Sequence, residues 1–308
     1  MIKKAQDSMA PWVIGVDIGG TKIILQAVDR QGQARFQEKT RTCVELSELR
    51  ELIEAFIGRY GIDTEQIGGY GFGIPGIVDV INGVVVDSPA LNWHDVPFVD
   101  AMKKMLHKPV FIENDVNCAA LGEQWLGAAR CLQSFVFVAI GTGVGAAIMI
   151  DGKLHRGNQN MAGEIGYFIS AGEFTETTRY TSEQFGFLDD KISGRAFSIH
   201  SLSVDVMLRQ YLSGEGEGHR IFTEYLAVLA ATLANVSSLL SPQKIVLGGG
   251  VASTLVHVLE PLRAQASRLT PVPIAIEIST LGEYTAAYGA ARCAWEGLDA
   301  ITTRREDG

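Results

Sequence analysis

Apolar and polar positions first fall into a clear pattern over W-V-I-G-V-D-I (12–18) and K-I-I-L-Q-A-V (22–28), two β-branched runs separated only by G-G-T. Runs of this kind on either side of a glycine turn predict an antiparallel hairpin that opens a sheet. Within residues 45–60, Leu46, Leu49, Leu52, Ile53, Phe56 and Ile57 recur at helical spacing and predict a helix over that sheet. G-G-Y-G-F-G-I-P-G (68–76) then reads as a strand and a turn. V-F-I-E (110–113) reads as a short strand ending at Glu113, with a helix beginning near Asp115.

From Ser134 the opening pattern returns as F-V-F-V-A-I, the turn G-T-G, V-G-A-A-I-M-I and a polar D-G-K. A pattern that recurs only once predicts two lobes on a related plan rather than a solenoid. Residues 221–240 are apolar almost all round, which predicts a buried helix or a dimer contact. K-I-V-L-G-G-G (244–250) gives a strand and a third glycine turn with a helix behind it. Residues 284–297 read as a helix, and T-T-R-R-E-D-G (302–308) as a frayed polar tail.

Charge and composition narrow the class of partner. The 308 residues are 47% hydrophobic and carry a formal net charge of -9, with no run of like charge. That balance argues against nucleic acid and for a small molecule. Four cysteines without a C-x-x-C pair signal neither a disulfide framework nor a zinc knuckle, and fit a reducing cytoplasm. No apolar segment follows the first lysines, so a signal peptide is not expected. The run 135–150 is too short and too rich in glycine to suggest a membrane span.

Glycine turns expose successive backbone N–H groups and admit a phosphate where a Cβ would intrude. Gly19, Gly20, Thr21 and Lys22 form one such turn, Gly141, Thr142 and Gly143 a second, and Gly248, Gly249 and Gly250 a third. Asp17, just ahead of the first, is suited to hold Mg²⁺ through water beside a polyphosphate. The plain alternative is a hairpin turn and nothing more. G-T-G-V-G-A matches a dinucleotide fingerprint in form, and G-V-D-I-G-G-T-K resembles a P-loop with its last residues exchanged. Both motifs need a helix next, and here a strand follows.

At E-N-D-V-N (113–117), the simplest role of Asp115 is N-cap of the following helix. A carboxylate near bound phosphates has a second use, taking the proton of an attacking hydroxyl. Gly76 in G-I-P-G, Asn92 in A-L-N-W, Asn114 and Glu164 in A-G-E-I-G supply the donors and acceptors that a polyol needs, although singly each is as well explained as a turn residue.

In order, D-I-G-G-T-K, G-I-P-G-I-V-D, L-N-W, E-N-D-V-N, G-T-G-V-G, D-G-K-L-H-R-G, A-G-E-I-G and I-V-L-G-G-G-V resemble the ROK family of bacterial sugar kinases, from about residue 12 to 295. The resemblance implies an α/β, actin-like, hexokinase-type fold of two lobes around a central cleft, a hexose or N-acetylhexosamine as substrate, and ATP with Mg²⁺. It implies Asp115 as base, Asn92, Asn114 and Glu164 on the sugar, and the glycine turns with Asp17 around Mg-ATP. It further suggests an N-terminal lobe over 1–116, a second over 117–284, a helix at about 285–308 packing back on the first, and a homodimer.

One segment departs from the family. Many members carry a zinc held by a histidine after E-I-G and by a C-G-C-G-x-x-G-C-x-E segment ahead of S-G-R-A. Here Tyr167 stands in the histidine place and Tyr180, Ser182 and Phe187 in the cysteine places. Loss of every ligand together suggests a lobe stabilised by aromatic packing instead of metal. The same alignment puts Tyr167 and Asp189 where the family's histidine and terminal glutamate touch sugar, so specificity is expected to differ. An inactive sugar-binding sensor is the alternative; the family's repressors carry a DNA-binding domain ahead of the first strand, and about a dozen residues precede it here. An actin-like ATPase with another acceptor is disfavoured by the sugar-type segments. Metal analysis after dialysis is expected to find no stoichiometric zinc.

Overall fold

The computed structural model describes residues 11–169, 184–200 and 202–306. It divides into two compact units, Met1–Gly127 with Tyr284–Gly308, and Ala128–Glu283. The first unit thus extends past residue 116.

In the first unit β1 (Trp12–Ile18), β2 (Lys22–Val28) and β3 (Ala34–Arg41) form an antiparallel meander, followed by α1 (Leu46–Tyr60) and β4 (Ile67–Ile74). A small antiparallel sheet of β5 (Ile77–Asp79), β6 (Val84–Ser88) and β7 (Trp93–Val96) intervenes. Then come α2 (Phe98–Leu106), β8 (Val110–Asn114) and α3 (Asp115–Leu126). The main sheet has the order β3-β2-β1-β4-β8, with β1 antiparallel to β2 but parallel to β4, and β4 parallel to β8.

The odd sequence of β4, G-G-Y-G-F-G-I, follows from what covers each face of this sheet. Side chains alternate across a strand, so Tyr70, Phe72 and Ile74 enter the core with Leu49, Ile53 and Phe56 of α1 and Phe98 of α2. Gly69, Gly71 and Gly73 face the other way, toward α3 and the C-terminal helix, Thr285–Glu306. That helix lies on the sheet backbone to backbone. A Cβ on Gly71 would stand 1.8 Å from the Ala290 carbonyl oxygen, and one on Gly15 of β1 would stand 2.2 Å from that of Ala287. It meets α3 as closely: a Cβ on Gly289 would lie 1.6 Å from the Cys118 carbonyl oxygen, and one on Gly122 would lie 2.3 Å from that of Thr285. The helix runs to Glu306, as the resemblance implied in placing a helix at about 285–308 back on this unit, and past the point where composition alone suggested a frayed tail. Its last turns are supplemented by the Thr302 and Thr303 hydroxyls, which donate to the Leu298 and Asp299 carbonyls four residues back.

The second unit repeats the plan. β9 (Phe135–Ile140), β10 (Val144–Ile150) and β11 (Lys153–Leu154) form a meander. The helices α4 (Asp189–Ile192), α5 (Gly194–Ser198), α6 (Val204–Ser213) and α7 (Glu217–Leu240) precede β12 (Lys244–Gly248), and α8 (Ala252–Leu255) and α9 (Leu259–Ser267) precede β13 (Ile276–Ile278). The order β11-β10-β9-β12-β13 repeats that of the first sheet, strand direction included. α7 is the apolar helix seen in the sequence and begins four residues before 221. It is the one helix among the described residues long and apolar enough to cross a membrane. Its composition has a local cause, since Phe222, Leu226, Leu229 and Leu233 are fully buried in the core of this unit.

Backbone-to-backbone packing makes a sharp contrast between helical glycines. Gly289→Ala is expected to destabilise the chain by about 3 kcal/mol, since overfilling a packed contact forces backbone shifts. Gly58→Ala in α1, where nothing lies within 4 Å of the added Cβ, is expected to stabilise by about 0.5–1 kcal/mol. Denaturant unfolding of the two variants measures both.

Candidate active site

In the first unit the β1–β2 hairpin closes through a bond from the Gly19 amide to the Lys22 carbonyl, 2.9 Å. Thr42, just past β3, braces it from the side. Its hydroxyl donates to the Gly19 carbonyl at 2.5 Å, and its amide to the Thr21 carbonyl at 3.3 Å. The exposed amides of Gly20 and Thr21 meet no acceptor among the described residues.

The β8–α3 corner carries the acid. Asn114, not Asp115, caps α3: its Oδ1 accepts the Asn117 amide at 3.0 Å. A capping residue keeps extended backbone while its side chain satisfies a free N–H, and Asn114 has that conformation whereas Asp115 is already helical. Asn114 Nδ2 donates to the Gly76 carbonyl at 3.0 Å and to Asp115 Oδ1 at 3.1 Å, and the Val116 amide donates to the same oxygen at 2.9 Å. Asp115 Oδ2 accepts from no other residue among those described. One oxygen is anchored and the other is free.

Behind the cap, buried Glu113 accepts the Asn114 amide at 3.0 Å and Asn117 Nδ2 at 2.9 Å. Gly76 has φ +100, and a Cβ there would lie 2.2 Å from the Asp87 carbonyl oxygen. The structure therefore joins Gly76, Asn114 and Asp115 directly. Asn92 makes no hydrogen bond to them and is left-handed, at φ 55. It lines a cavity of about 410 Å³ with Val44, Glu45, Ser47, Trp93 and Met105.

Charge in this unit is crowded. Burial pushes the Asp115 carboxyl up to about 6, against the lowering effect of the Val116 amide, its own backbone N–H and the Asn114 side chain. Asp17 is pushed up to about 8, first by burial and then by the Asp115 charge, with Lys22 opposing. Two carboxylates competing to ionise are what a cation relieves. Among the described residues no three acidic, histidine or cysteine side chains converge, and Asp17 and Asp115 are the acids that a cation here would meet.

In the second unit the β9–β10 turn closes from the Gly141 amide to the Gly143 carbonyl, 2.9 Å, and the exposed turn again leaves two amides, those of Thr142 and Gly143, without an acceptor among the described residues. A Cβ on Gly141 would meet nothing within 4 Å. The third glycine run divides by role. Gly248 lies against the Phe137 ring, and Gly249, at φ +88, has a site for Cβ only 2.5 Å from the Ile140 carbonyl oxygen. Both let β12 pack on β9, while Gly250 faces open space.

Glu164 follows Gly163, whose carbonyl accepts the Ala146 amide at 2.7 Å and so ties this loop to β10. The Tyr167 hydroxyl donates to the Gln184 carbonyl at 3.1 Å. Asp189 is buried and both its oxygens are occupied, Oδ1 by the Val144 amide and Oδ2 by the Gly186 amide. Burial raises its pKa, opposed chiefly by those two amides. Of the residues in the zinc-ligand places, Tyr180 and Ser182 lie outside the described residues. Phe187 has the Lys191 ammonium over its ring at 5.2 Å. Elsewhere in this unit aromatic rings do pack together, Phe197 against Phe222 and Tyr225 with ring centroids 5.9 and 4.6 Å apart.

Residues 13–296 match the ROK family. The chain belongs to that family. This ROK protein is 26% identical to a glucokinase of Halalkalibacterium halodurans over 90% of its own length and 93% of that protein's. It is 29% identical to an N-acetyl-D-glucosamine kinase of Vibrio cholerae over 78% of its length and 84% of the other's. Among solved structures it resembles a ROK family glucokinase from Streptomyces griseus in complex with glucose and AMPPNP, with TM-score 0.76 and 28% identity over 92% of this chain and 99% of that one. Its duplicated sheet is the actin-like ATPase fold of the ROK hexokinases.

Sequence reasoning missed the supports of this ROK protein. Thr42 carries no motif and is found only through the fold. Glu113 and Asn117 do carry a signal, their i, i+4 spacing around the cap. Asn114→Ala is expected to cost about 1 kcal/mol through loss of the cap, and Asn114→Ser, which keeps a capping oxygen, less than half of that. Thermal unfolding of the two variants tests the assignment.

Proposed function

We propose that this ROK sugar kinase transfers the terminal phosphate of ATP to a hydroxyl of a hexose or N-acetylhexosamine, with Asp115 as the general base. The observation that carries the reading is the state of that carboxylate, held through Oδ1 by Asn114 and Val116 and left open at Oδ2, with a pKa of about 6. Near neutral pH it is mostly ionised, yet basic enough to take a proton as the sugar oxygen attacks. The proton passes to Oδ2, the sugar oxygen bonds to the γ-phosphorus, and the β–γ bridging oxygen leaves with ADP.

The amides of Gly20 and Thr21, and those of Thr142 and Gly143, are suited to phosphate oxygens, because meeting no acceptor among the described residues they give up only water to take one. Asp17 would hold Mg²⁺, which neutralises phosphate charge. Gly76, Asn92, Asn114, Glu164 and Tyr167 are the candidates for the sugar; in Asn114 that role competes with its bonds to Gly76 and Asp115.

ADP release, screened over glucose, fructose, mannose, allose, N-acetylglucosamine and N-acetylmannosamine, should show turnover on at least one of them. Asp115→Ala should lower kcat by about 10²–10⁴. Sugar binding without turnover on any sugar would instead favour a sensor, and full activity in the variant would remove the base assignment. Since the base works ionised, kcat/KM for the sugar should fall as pH drops through about 6 and approach a tenfold loss per further pH unit.

A further inference from the structure

Three segments of the second unit converge on one buried carboxylate. Asp189, the first residue of α4, accepts the Val144 amide at 2.6 Å and the Gly186 amide at 2.8 Å. Glycines make its seat. A Cβ on Gly166 would lie 2.7 Å from Oδ2, and one on Gly143 would lie 3.1 Å from Oδ1. Gly186 packs against the Gly166 carbonyl oxygen, which would be 2.1 Å from a Cβ there.

Val144 is the residue at which the β9–β10 turn becomes β10, so Asp189 grips one shoulder of that turn. The other shoulder is held from the far end of α4, where the Gly194 amide donates to the Gly141 carbonyl at 2.7 Å. Ser193 links the two grips, its hydroxyl donating to the Asp189 carbonyl at 2.6 Å. α4 and its ends thus fix both shoulders of a turn whose central amides, Thr142 and Gly143, meet no acceptor among the described residues.

We propose that Asp189 is a positioning residue that orients the Gly141–Gly143 turn toward phosphate, and therefore governs the affinity for nucleotide rather than for sugar. The inference rests on the reading of that turn as a phosphate site. The family resemblance would put a sugar-touching acid here. In this chain each carboxylate oxygen accepts a backbone amide, and Gly143 and Gly166 crowd them closely. An asparagine fits the space but sets its NH₂ against one of the two N–H groups, so one bond is lost and a donor faces a donor.

The test is steady-state kinetics of Asp189→Asn with ATP and the best sugar each varied in turn. The KM for ATP should rise at least tenfold while the KM for sugar stays within twofold, a split that a purely structural residue would not produce. An unchanged KM for ATP, or a rise confined to sugar, overturns the inference. Gly141→Val tests the underlying reading separately, by placing a side chain in the open space before the turn. If that variant folds and keeps wild-type ATP affinity, the phosphate role of the turn fails, whatever Asp189→Asn does. Should Asp189→Asn not fold, hydrogen exchange on the wild-type protein decides. The Val144 and Gly186 amides should be protected without ligand, and those of Thr142 and Gly143 only when ATP is present. Rapid exchange at Val144, or no protection of Thr142 and Gly143 by ATP, overturns the proposal.

Discussion

The contact between the C-terminal helix and the bare backbone of β1 and β4 governs the geometry of the first unit. Gly15 and Gly71 let the helix descend until carbonyl oxygens fill the volume of missing side chains. Gly122 and Gly289 let α3 settle against the same helix. With α3 held there and β8 paired to β4, the corner between them has little freedom, and that corner carries Asp115. A catalytic group needs support that does not yield. Here it comes from backbone contact, which cannot change rotamer.

Both glycine turns use a common economy. Each uses its outer polar groups to close itself and to meet a brace, Thr42 in one unit and Asp189 in the other, and leaves two inner amides without a partner among the described residues. The braces differ in chemistry and come from different places in the chain. The duplicated sheet therefore fixes where a turn falls, while its support was assembled separately in each half.

Most of the architecture was legible in the chain. The paired apolar runs around G-G-T and G-T-G gave the hairpins and their repetition, and the spacing of Leu49, Ile53 and Phe56 gave α1, because local periodicity reports which face is buried. What escaped was decided by tertiary contact. Asn114 and Asp115 are both acceptable caps on local grounds, and only the approach of Gly76 shows which side chain turns back to the helix. For Asp189 the sequence showed its place but not its partners, and the fold supplies a backbone amide for each of its oxygens. Composition alone misplaced the end of the final helix, which the family resemblance did imply, because Thr302, Thr303 and Arg304 suit a tail as well as the exposed face of a helix.

The tie between residues near the start and near the end of the chain also constrains the order of biogenesis. The Trp295 indole donates to the Asp29 carbonyl, and Arg30 pairs with Asp299. The sheet of the first unit therefore emerges from the ribosome without the helix that covers its glycine face. The second unit, continuous in sequence, is complete before that helix is synthesised. The half translated first is thus the half completed last, and until then the glycine face of its sheet lacks its cover, the kind of transient exposure that favours aggregation.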